Sequence, residues 1–440
     1  MRSPAKRVGN TALLKGLPSE VGVIAAIAFC VALGFGIVAP ALPIYAKSFG
    51  VTAFLAGAVI SVFALMRLVS SPAAGSLVDR VGERRVLTIG LVIVAVSSVF
   101  AGLANSYGQL LVLRGVGGIG SSMFTVSAMA LTLKVVAANQ RGRAAGAFQG
   151  GFLLGGVAGP AVGGLVVGIS IRAPFFVYAA TLAVAAVVAW RYLPAEPAGK
   201  PVAAAPGTPI AANADESAAE LGLGAAPSEP AALEPSPTLG AALRNRSYQA
   251  ALAGNLTNGF VSYGLRSSLV PLFVVEGLDG GAGLASAGFL VAAATQAVLL
   301  LPAGRLADVR GRRPALLLGT ALTLIGMIGL SLSGATWPFL LAMAVSGLAA
   351  AFMGSAPAAI AGDVVGASGK GIVIAVFQMT ADFGAIIGPL LAGWLADAFG
   401  YGPAFAVGAS VALLALVFAG IMPETLRKAK PDNVEDAQTV

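Results

Sequence analysis

Repeated apolar runs, each long enough to cross a lipid bilayer as a helix, dominate this sequence of 440 residues. A membrane-spanning helix needs about 20 consecutive, mostly apolar residues. Because lipid offers no partner for backbone N–H and C=O groups, such runs fold as helices that satisfy these groups internally. Only 10% of the residues are charged, whereas soluble domains carry about 25%. The sequence therefore predicts an all-α membrane protein of about twelve spans, which begin near Val21, Val51, Val86, Gly108, Gly146, Pro174, Ala250, Ala285, Ala315, Trp337, Gly371 and Gly402.

Basic residues are concentrated in alternate loops between these runs. The clusters are Arg2/Lys6/Arg7/Lys15, Arg80/Arg84/Arg85, Lys134/Arg141/Arg143, Arg191 to Arg246, Arg305/Arg310/Arg312/Arg313, Lys370 and Arg427/Lys428/Lys430. The other loops contain only Lys47 and Arg172. By the positive-inside rule, this asymmetry predicts that both termini are cytoplasmic. The first run is too long for a signal-peptide core, so we expect an uncleaved first span.

The two halves of the chain carry related blocks at a constant separation. GSLVDRVGERRVL begins at Gly75 and GRLADVRGRRPAL begins at Gly304. A second pair of blocks is FQGGFLLGGVAGPAVGG, which begins at Phe148, and FQMTADFGAIIGPLLAG, which begins at Phe377. The two blocks of each pair are the same number of residues apart. Residues with this separation are equivalent positions of the two halves. A duplicated six-helix unit in parallel orientation implies a two-fold axis along the membrane normal and a binding site near the midplane between the halves.

A segment of different composition separates the two halves. Between about Pro194 and Leu243 the chain is rich in Pro and Ala, with scattered acids and almost no aromatic residues. This composition is typical of a flexible linker. We therefore predict an N-terminal bundle over residues 1–193, a cytoplasmic linker over 194–243, a C-terminal bundle over 244–425 and a cytoplasmic tail over 426–440.

Composition and context exclude several other functions. The chain has no histidine and a single cysteine, Cys30, so neither a metal site nor a disulfide within the chain is expected, and no cofactor is predicted. GVGGIG, from Gly115 to Gly120, matches the dinucleotide fingerprint but lies inside an apolar span rather than after a strand. Asp382-Phe383-Gly384 spells a kinase motif, yet the other kinase motifs are missing. The net charge of +8 is explained by topology, so no nucleic-acid partner is expected.

Several motifs in this sequence resemble those of the major facilitator superfamily. The loop block with Gly75, Asp79 and Gly82 resembles the signature between helices 2 and 3, although Glu83 stands where a basic residue is usual. The second copy has Val309 in place of a basic residue. The stretch GGVAGPAVGG in the fifth span and Arg114 with its following glycines resemble motifs of the twelve-span drug:proton antiporter branch.

The resemblance implies alternating access, in which two bundles rock about a central cavity and substrate is exchanged for protons. Asp79 is expected to accept hydrogen bonds from the N-terminus of the eleventh span near Gly371, where the helix dipole favours an anion. That contact would hold the cytoplasmic side shut in the outward-facing state. The implied gating residues are Asp79, Arg80, Gly82, Arg84, Arg85, Asp308, Gly311, Arg312 and Arg313, with Gly159, Pro160 and Gly163 of the fifth span.

Asp382 is an ionisable residue within an otherwise apolar span, and such residues are candidates for function. It shares a helix face with Gln378, Ala385 and Pro389, whereas the equivalent residue in the first half is Leu153. The resemblance places the second and eleventh spans opposite each other, which makes Arg67 the natural partner. Three alternatives stay open: proton coupling or gating, a purely structural ion pair, or neither.

Two further polar stripes are candidates for the substrate cavity. Arg114 shares a face with Ser121 and Thr125 in the fourth span. In the seventh span, Asn255, Asn258, Ser262 and Arg266 form a stripe at helical spacing, and Gln296 occupies the position equivalent to Arg67. The resemblance implies that the fourth and seventh spans line the cavity. Otherwise, these residues form hydrogen bonds between helices.

The sequence predicts a secondary transporter and not an enzyme. We expect proton-coupled efflux of small hydrophobic or amphiphilic compounds across a bacterial inner membrane, with Asp382, Arg114 and Arg67 as proton-coupling residues. Three mid-span arginines against one aspartate favour anionic, zwitterionic or neutral substrates. The expected partners are a small-molecule substrate, protons and the bilayer, and we expect a monomer. The alternatives are a proton-coupled importer of a sugar or organic acid, and a membrane sensor that transports nothing.

Overall fold

A computed structural model of the chain describes residues 17–136, 141–194, 238–365 and 371–426, and every regular element in these ranges is helical. The long helices are α1 (Ser19–Val38), α2 (Ala53–Val81), α3 (Glu83–Gly102), α4 (Tyr107–Lys134), α5 (Arg141–Val167), α6 (Ala173–Tyr192), α7 (residues 246–276), α8 (Ala282–Val309), α9 (Arg312–Ser331), α10 (Thr336–Val365), α11 (Gly371–Phe399) and α12 (Tyr401–Ile421). Eleven of these described helices are individually long and apolar enough to cross a membrane. The prediction of an all-α membrane fold is therefore confirmed.

Helix α7 is the remaining span, and it is not a regular α-helix. It consists of the consecutive segments Arg246–Thr257, Asn258–Leu265 and Arg266–Glu276, of which the middle one is a π-helix. Two glycines allow this segment to lie directly on α11: a Cβ added at Gly264 would lie 3.1 Å from the Cα of Gly388, and Gly259 meets the carbonyl of Ala381. Irregular π-helical turns occur frequently at functional sites, so α7 is a candidate site element.

The structure describes only parts of the predicted linker and of the predicted C-terminal tail. At the end of the predicted linker, Leu239–Arg244 is a short helix, and the hydroxyl of its N-cap Thr238 accepts a hydrogen bond from the backbone N–H of Ala241 at 3.3 Å. A Thr cap initiates this turn of helix, which composition did not reveal, and the bounds of the linker stay a prediction. Residues 195–237 and 427–440 lie outside the described residues.

The internal repeat in the sequence corresponds to repeated packing in the structure. At Gly118 on α4, an added Cβ would strike the carbonyl of Phe63 on α2. At Gly347 on α10, the equivalent of Gly118, it would strike the carbonyl of Ala292 on α8, the equivalent of Phe63. Small residues at such crossings let membrane helices approach closely. The two bundles, α1–α6 and α7–α12, are therefore built by the same helix packing.

Among the described residues, the contacts between the halves lie toward one end of the bundles. We call the end at which α1 begins and α12 ends the terminal face, and the other end the opposite face. Near the opposite face, a Cβ added at Gly57 of α2 would lie 2.5 Å from the carbonyl oxygen of Pro389 on α11, and one at Gly164 of α5 would lie 3.1 Å from Ser286 on α8. Toward the terminal face, a Cβ at Gly75 of α2 or Gly150 of α5 would meet nothing within 4 Å. The halves are thus closed at the opposite face and separated toward the terminal face.

Gly57 provides a test of this closure. Gly57→Leu overpacks the α2–α11 contact, and overpacking of this kind costs about 1–3 kcal/mol, so the halves should open at the opposite face about tenfold more often. The reporter is the rate at which maleimide modifies a cysteine introduced at Ala53, which is 3% exposed, in a Cys30→Ala background. Gly75→Leu is the matched control, since its side chain enters open space. Equal acceleration by both leucines would contradict the closure.

Candidate functional site

An aspartate at the end of α11 closes the opposite face. The two carboxylate oxygens of Asp397 accept hydrogen bonds from the backbone N–H groups of Ala53 and Phe54, each at 2.8 Å. These residues form the first turn of α2, where N–H groups have no partner within the helix and the dipole favours an anion. A carboxylate from one half thus caps a helix of the other half.

Two further polar contacts join the halves near this face. The Nζ of Lys47, in the short helix after α1, lies 3.0 Å from the Oε1 of Glu276 at the end of α7. Deeper in the molecule, the hydroxyl of Ser61 on α2 donates to the carbonyl of Ile386 on α11 at 2.7 Å. The closure therefore combines close apolar packing with charged and hydrogen-bonded contacts between the halves.

The ion pair between Arg67 and Asp382 lies where the α2–α11 interface ends. A terminal guanidinium nitrogen of Arg67 contacts the Oδ1 of Asp382, and the two side chains are 36% and 25% exposed. The structure thus places Asp382 in an ion pair with Arg67. This leaves open whether the pair serves proton coupling or gating, or is purely structural. Both charges are thus partly accessible, and along α2 the pair lies between the contact at Gly57 and the position of Gly75, where a Cβ would meet nothing. Its role in proton coupling stays a prediction.

Arg114 on α4 is a buried cation with little compensation. The residue is 4% exposed, its guanidinium carbon lies 4.4 Å from the ring centroid of Phe63, and its Nε has no hydrogen-bond partner among the described residues. Buried charges are normally paired and hydrogen-bonded. A cation–π contact of this kind contributes roughly 2 kcal/mol when desolvated, less than the cost of burial. Arg114 is therefore suited to attract an anion or to respond to a charge change nearby.

The predicted stripe on α7 divides into two groups. The side-chain amide of Asn255 donates to the carbonyl of Phe377 on α11 at 2.6 Å, so this buried residue links two helices. Asn258, Ser262 and Arg266 are partly exposed. The Nε of Arg266 is buried without a partner in the described part of the chain. The cavity role of these three residues stays a prediction, whereas Asn255 forms a hydrogen bond between helices.

The other predicted cavity residues lie on α4 and α8. Ser121 and Gln296 are partly exposed and Thr125 is exposed. The hydroxyl of Thr125 donates to the carbonyl of Ser121 at 2.9 Å, a bond within one helix that leaves the oxygen able to accept another. Their place in a cavity stays a prediction.

The glycine–proline stretch of α5 packs on α1. A Cβ added at Gly159 would lie 2.7 Å from the carbonyl oxygen of Leu33, and one at Gly163 would lie 3.0 Å from that of Ile37. The ring of Pro160 lies 3.1 Å from the place of a Cβ at Gly36. These contacts require small residues on both helices. They explain the stretch as packing, and its role in preventing leak stays a prediction.

At the terminal face, the first signature loop is open. Asp79, Arg80 and Arg85 are exposed, and Gly82 adopts a φ of +93°, which favours glycine at this turn. Asp79 has no hydrogen bond or ion pair to any other described residue, while residues 366–370, before α11, lie outside the description. The expected contact of Asp79 with the start of α11 belongs to the closed terminal face, so this open arrangement leaves it untested.

The second signature loop forms a charged network within its own half. Arg312 contacts Asp308 and lies 3.3 Å from the Oδ2 of Asp363 at the end of α10. The carboxylate of Glu424, just after α12, accepts hydrogen bonds from the backbone N–H groups of Arg312 at 2.7 Å and Arg313 at 3.1 Å. Arg313 also donates to the carbonyl of Gly420 at 2.6 Å. The loop is thereby fixed to the ends of α10 and α12.

The first half uses a pair of reversed polarity at the same place. Glu83 lies 3.2 Å from the Nζ of Lys134 at the end of α4. Glu83 and Lys134 are the equivalents of Arg312 and Asp363. The departure of Glu83 from the family signature is therefore matched by a basic residue on the neighbouring helix. Exposed pairs like this contribute about 0.2–1 kcal/mol, so they position the loop more than they stabilise the fold.

Sequence reasoning missed Asp397 and Glu424. Asp397 lies in the last turn of α11, where an acid is unfavourable for the dipole of its own helix. This unfavourable position could have indicated that Asp397 has a partner on another helix. Glu424 follows Pro423 directly after the last span, but nothing in the sequence indicated that it would reach another helix. Among the described residues, no group of three or more acidic or cysteine side chains could hold a metal ion.

The pH dependence of stability should reveal the Glu424 contact. Partial burial opposes ionisation, but hydrogen bonds from the N–H groups of Leu426, Arg312, Arg313 and Thr425 outweigh it and lower the pKa of Glu424. A lowered folded pKa gives stabilisation that is present above the unfolded pKa of about 4.3 and lost as the pH falls through the folded value. Because this burial is slight and solvent screens the contacts, Glu424→Gln should cost about 0.5–1 kcal/mol at pH 7.

The measurement is the melting temperature of wild type and Glu424→Gln in detergent between pH 7 and pH 3. The difference should be largest near neutrality and shrink in acid. Asp279→Asn is the control, because Asp279 is exposed and has no polar partner in the described ranges. A difference that does not change with pH would mean that the carboxylate charge contributes nothing.

Removal of the Asp397 cap should open the opposite face. Loss of an N-cap acceptor costs about 0.5–2 kcal/mol, so Asp397→Ala should accelerate maleimide modification of Ala53→Cys roughly 2- to 30-fold. Asp397→Asn keeps one acceptor and should be intermediate, and Asp279→Asn should have no effect. If alanine and asparagine both left the rate unchanged, the cap would not be part of the closure.

Comparison with known proteins agrees with this architecture. The profile described as "Major Facilitator Superfamily" matches residues 24–295 and 251–439. The chain is 30% identical over 148 residues to the quinolone resistance protein NorA of Staphylococcus aureus, a match that covers 34% of this chain and 38% of NorA. It is 30% identical over 159 residues to multidrug resistance protein 2 of Bacillus subtilis, covering 36% and 40%. The chain thus matches only about two fifths of the length of these relatives.

Solved structures share the fold over nearly the whole chain. A bacterial homolog of the human lysosomal transporter Spinster, in an inward-facing and unoccupied conformation, has a TM-score of 0.68 at 17% identity and covers 94% of this chain and 96% of its own. A POT family transporter in complex with 5-aminolevulinic acid has a TM-score of 0.70 at 13% identity, covering 92% and 96%. Since the family profile spans both bundles and the fold agrees, the chain belongs to the Major Facilitator Superfamily of secondary membrane transporters and is not an enzyme.

Proposed function

We propose that this transporter exports small hydrophobic or amphiphilic compounds in exchange for protons. The observation that carries the proposal is the position of the Arg67–Asp382 pair, at the boundary between the closed and the open part of the α2–α11 interface. The partial similarity to a quinolone resistance protein and a multidrug resistance protein supports efflux of such compounds. The basic loops support a cytoplasmic terminal face. The described arrangement is then open to the cytoplasm.

A proton that reaches Asp382 removes the negative charge of the pair. Arg67 then loses its partner, and the α2–α11 interface is held only by the contacts nearer the opposite face. Those contacts are Asp397 on the first turn of α2, Ser61 on Ile386 and the glycine packing at Gly57. Protonation thus lowers the cost of separating the halves at the opposite face. For exchange, Asp382 binds its proton while the opposite face is open; when that face closes and Arg67 returns beside the carboxylate, the proton leaves to the cytoplasm.

Closure of the terminal face would follow as the bundles rock. In that state, the backbone N–H groups at the N-terminus of α11 would donate hydrogen bonds to the carboxylate of Asp79, which is exposed in the open arrangement. Asp397 and Asp79 would then have reciprocal roles: each lies at one end of the α2–α11 pair and caps the other helix. One helix pair would carry both gates.

The charges within the spans indicate which substrates fit. Arg114 and Arg266 each have a buried Nε without a partner in the described part of the chain, and the charge of Arg67 is balanced by Asp382. We therefore expect the space between the halves to be electropositive. Compounds that are anionic, zwitterionic or neutral should be better substrates than organic cations. This expectation distinguishes the protein from exporters of lipophilic cations.

The decisive experiment compares wild type with Asp382→Asn in inverted bacterial membrane vesicles. A pH-sensitive dye reports proton release while anionic, neutral and cationic compounds are added in turn. We expect at least one anionic or neutral compound to dissipate the gradient with wild type, and a loss of about tenfold or more in this rate with Asp382→Asn. Asp279→Asn is the matched control and should behave like wild type.

The outcomes separate coupling from structure. Unchanged coupled flux in Asp382→Asn would make the ion pair purely structural and move the proton-coupling role to Arg114. If no compound of any charge class produced proton flux with wild-type protein, the export proposal would be overturned. Substrate binding to the purified variant, measured by tryptophan fluorescence, shows whether a loss of flux arises from lost coupling or from lost binding.

A further inference from the structure

The two signature loops differ in how the first turn of the following helix is capped. In the second half, Gly311 turns with a φ of +123°, and the carboxylate of Glu424 fills the place where a Cβ would stand. That carboxylate accepts the N–H groups of Arg312 and Arg313. The helix N-terminus of α9 thus binds an anionic group that the chain itself supplies.

In the first half, the same place is a pocket of about 240 Å³. Gly82 turns with a φ of +93°, yet a Cβ added there would meet nothing within 4 Å. The pocket is lined by Gly82, Arg84, Trp190 and Pro194, among others. Pro194 is the equivalent of Pro423, but the next residue is Ala195, where the second half has Glu424. The side chain that caps α9 has no counterpart at that position.

The pocket has the chemistry of an anion site. The N–H groups of Glu83, Arg84 and Arg85 at the start of α3 have no protein acceptor among the described residues, and a helix N-terminus favours an anion. Arg84 donates to the carbonyl of Trp190 and lies 4.6 Å over its ring, which leaves its buried Nε without a partner in the described ranges. Glu83 also lines the pocket, but its carboxylate is paired with Lys134.

The surroundings indicate where the anion comes from. Trp190 and Tyr192, near the end of α6, are 57% and 61% exposed. Exposed Trp and Tyr near the end of a membrane helix are typical of the level of the lipid headgroups. Arg85 and Arg191 are also exposed beside the pocket. Basic pockets at the headgroup level favour anionic lipids.

We propose that this pocket binds the phosphate of an anionic phospholipid headgroup, which takes the place that the Glu424 carboxylate occupies in the second half. The phosphate oxygens would accept the backbone N–H groups of Glu83 and Arg84 and a terminal guanidinium N–H of Arg84, which lines the pocket. The lipid thereby fixes the first signature loop to the ends of α3 and α6. This site is separate from the transport pathway, so the inference does not depend on the substrate or the direction of transport.

The test is native mass spectrometry of the full-length protein in neutral detergent with added phosphatidylglycerol or phosphatidylcholine. We expect one tightly retained phosphatidylglycerol per chain. Arg84→Gln should weaken retention about tenfold, as expected for loss of a hydrogen bond to a charged group, whereas the equivalent Arg313→Gln should not change it. Ala195→Glu supplies the missing carboxylate and should abolish retention. Glu424→Ala should create a second site.

A fluorescence assay locates the lipid. In Trp337→Phe/Trp394→Phe protein, Trp190 is the remaining tryptophan, and brominated phosphatidylglycerol should quench it while brominated phosphatidylcholine should not. Equal quenching by both lipids would overturn the proposal. Relief of quenching by millimolar inorganic phosphate alone would overturn the lipid as the source. If wild type retained no phosphatidylglycerol but Glu196→Gln gained it, the chain's own Glu196 would be the occupant and the proposal would be wrong.

Discussion

The contact between α2 and α11 is the interaction on which the arrangement of the two halves depends. Glycine at positions 57 and 393 brings the two backbones together, because a Cβ at either position would meet the facing backbone at 2.5 to 2.6 Å. In lipid, helices gain little from apolar contact alone, so close packing and hydrogen bonds determine association. Asp397 and Ser61 supply those hydrogen bonds across the interface. The open and closed parts of the molecule follow from where this contact ends.

The two halves share their helix packing, but they differ in the charged residues at the interface between them. Arg67 and Asp382 have Gln296 and Leu153 at their equivalent positions. A symmetric pair would tie α5 to α8 as firmly as α2 to α11, which would oppose rocking. With one ion pair, the charge of a single carboxylate can bias the whole interface. The proposed coupling therefore rests on divergence at these positions and not on the packing that both halves share.

The two signature loops at the terminal face also share a backbone but differ in their charged residues. Glu83 with Lys134 and Arg312 with Asp363 are equivalent pairs of opposite polarity. Glu424 caps α9, whereas the corresponding residue after α6 is alanine. The local backbone is the same in both loops, since Gly82 and Gly311 both adopt positive φ. One half completes its loop with its own carboxylate, and we infer that the other half recruits a lipid.

The sequence by itself determined the helical spans, the family and the duplication, because lipid allows only one local structure for long apolar runs and a repeat is visible as spacing. It also singled out Asp382 and Arg67 as charges that the membrane tolerates only for a reason. Only the tertiary structure decided that these two residues pair and that Asn255 bonds to α11. It alone showed that Asp397 and Glu424 cap helices distant in the chain. Such contacts depend on the rotation of each helix about its axis and on the tilt between the halves, and neither is written in the periodicity of a single span.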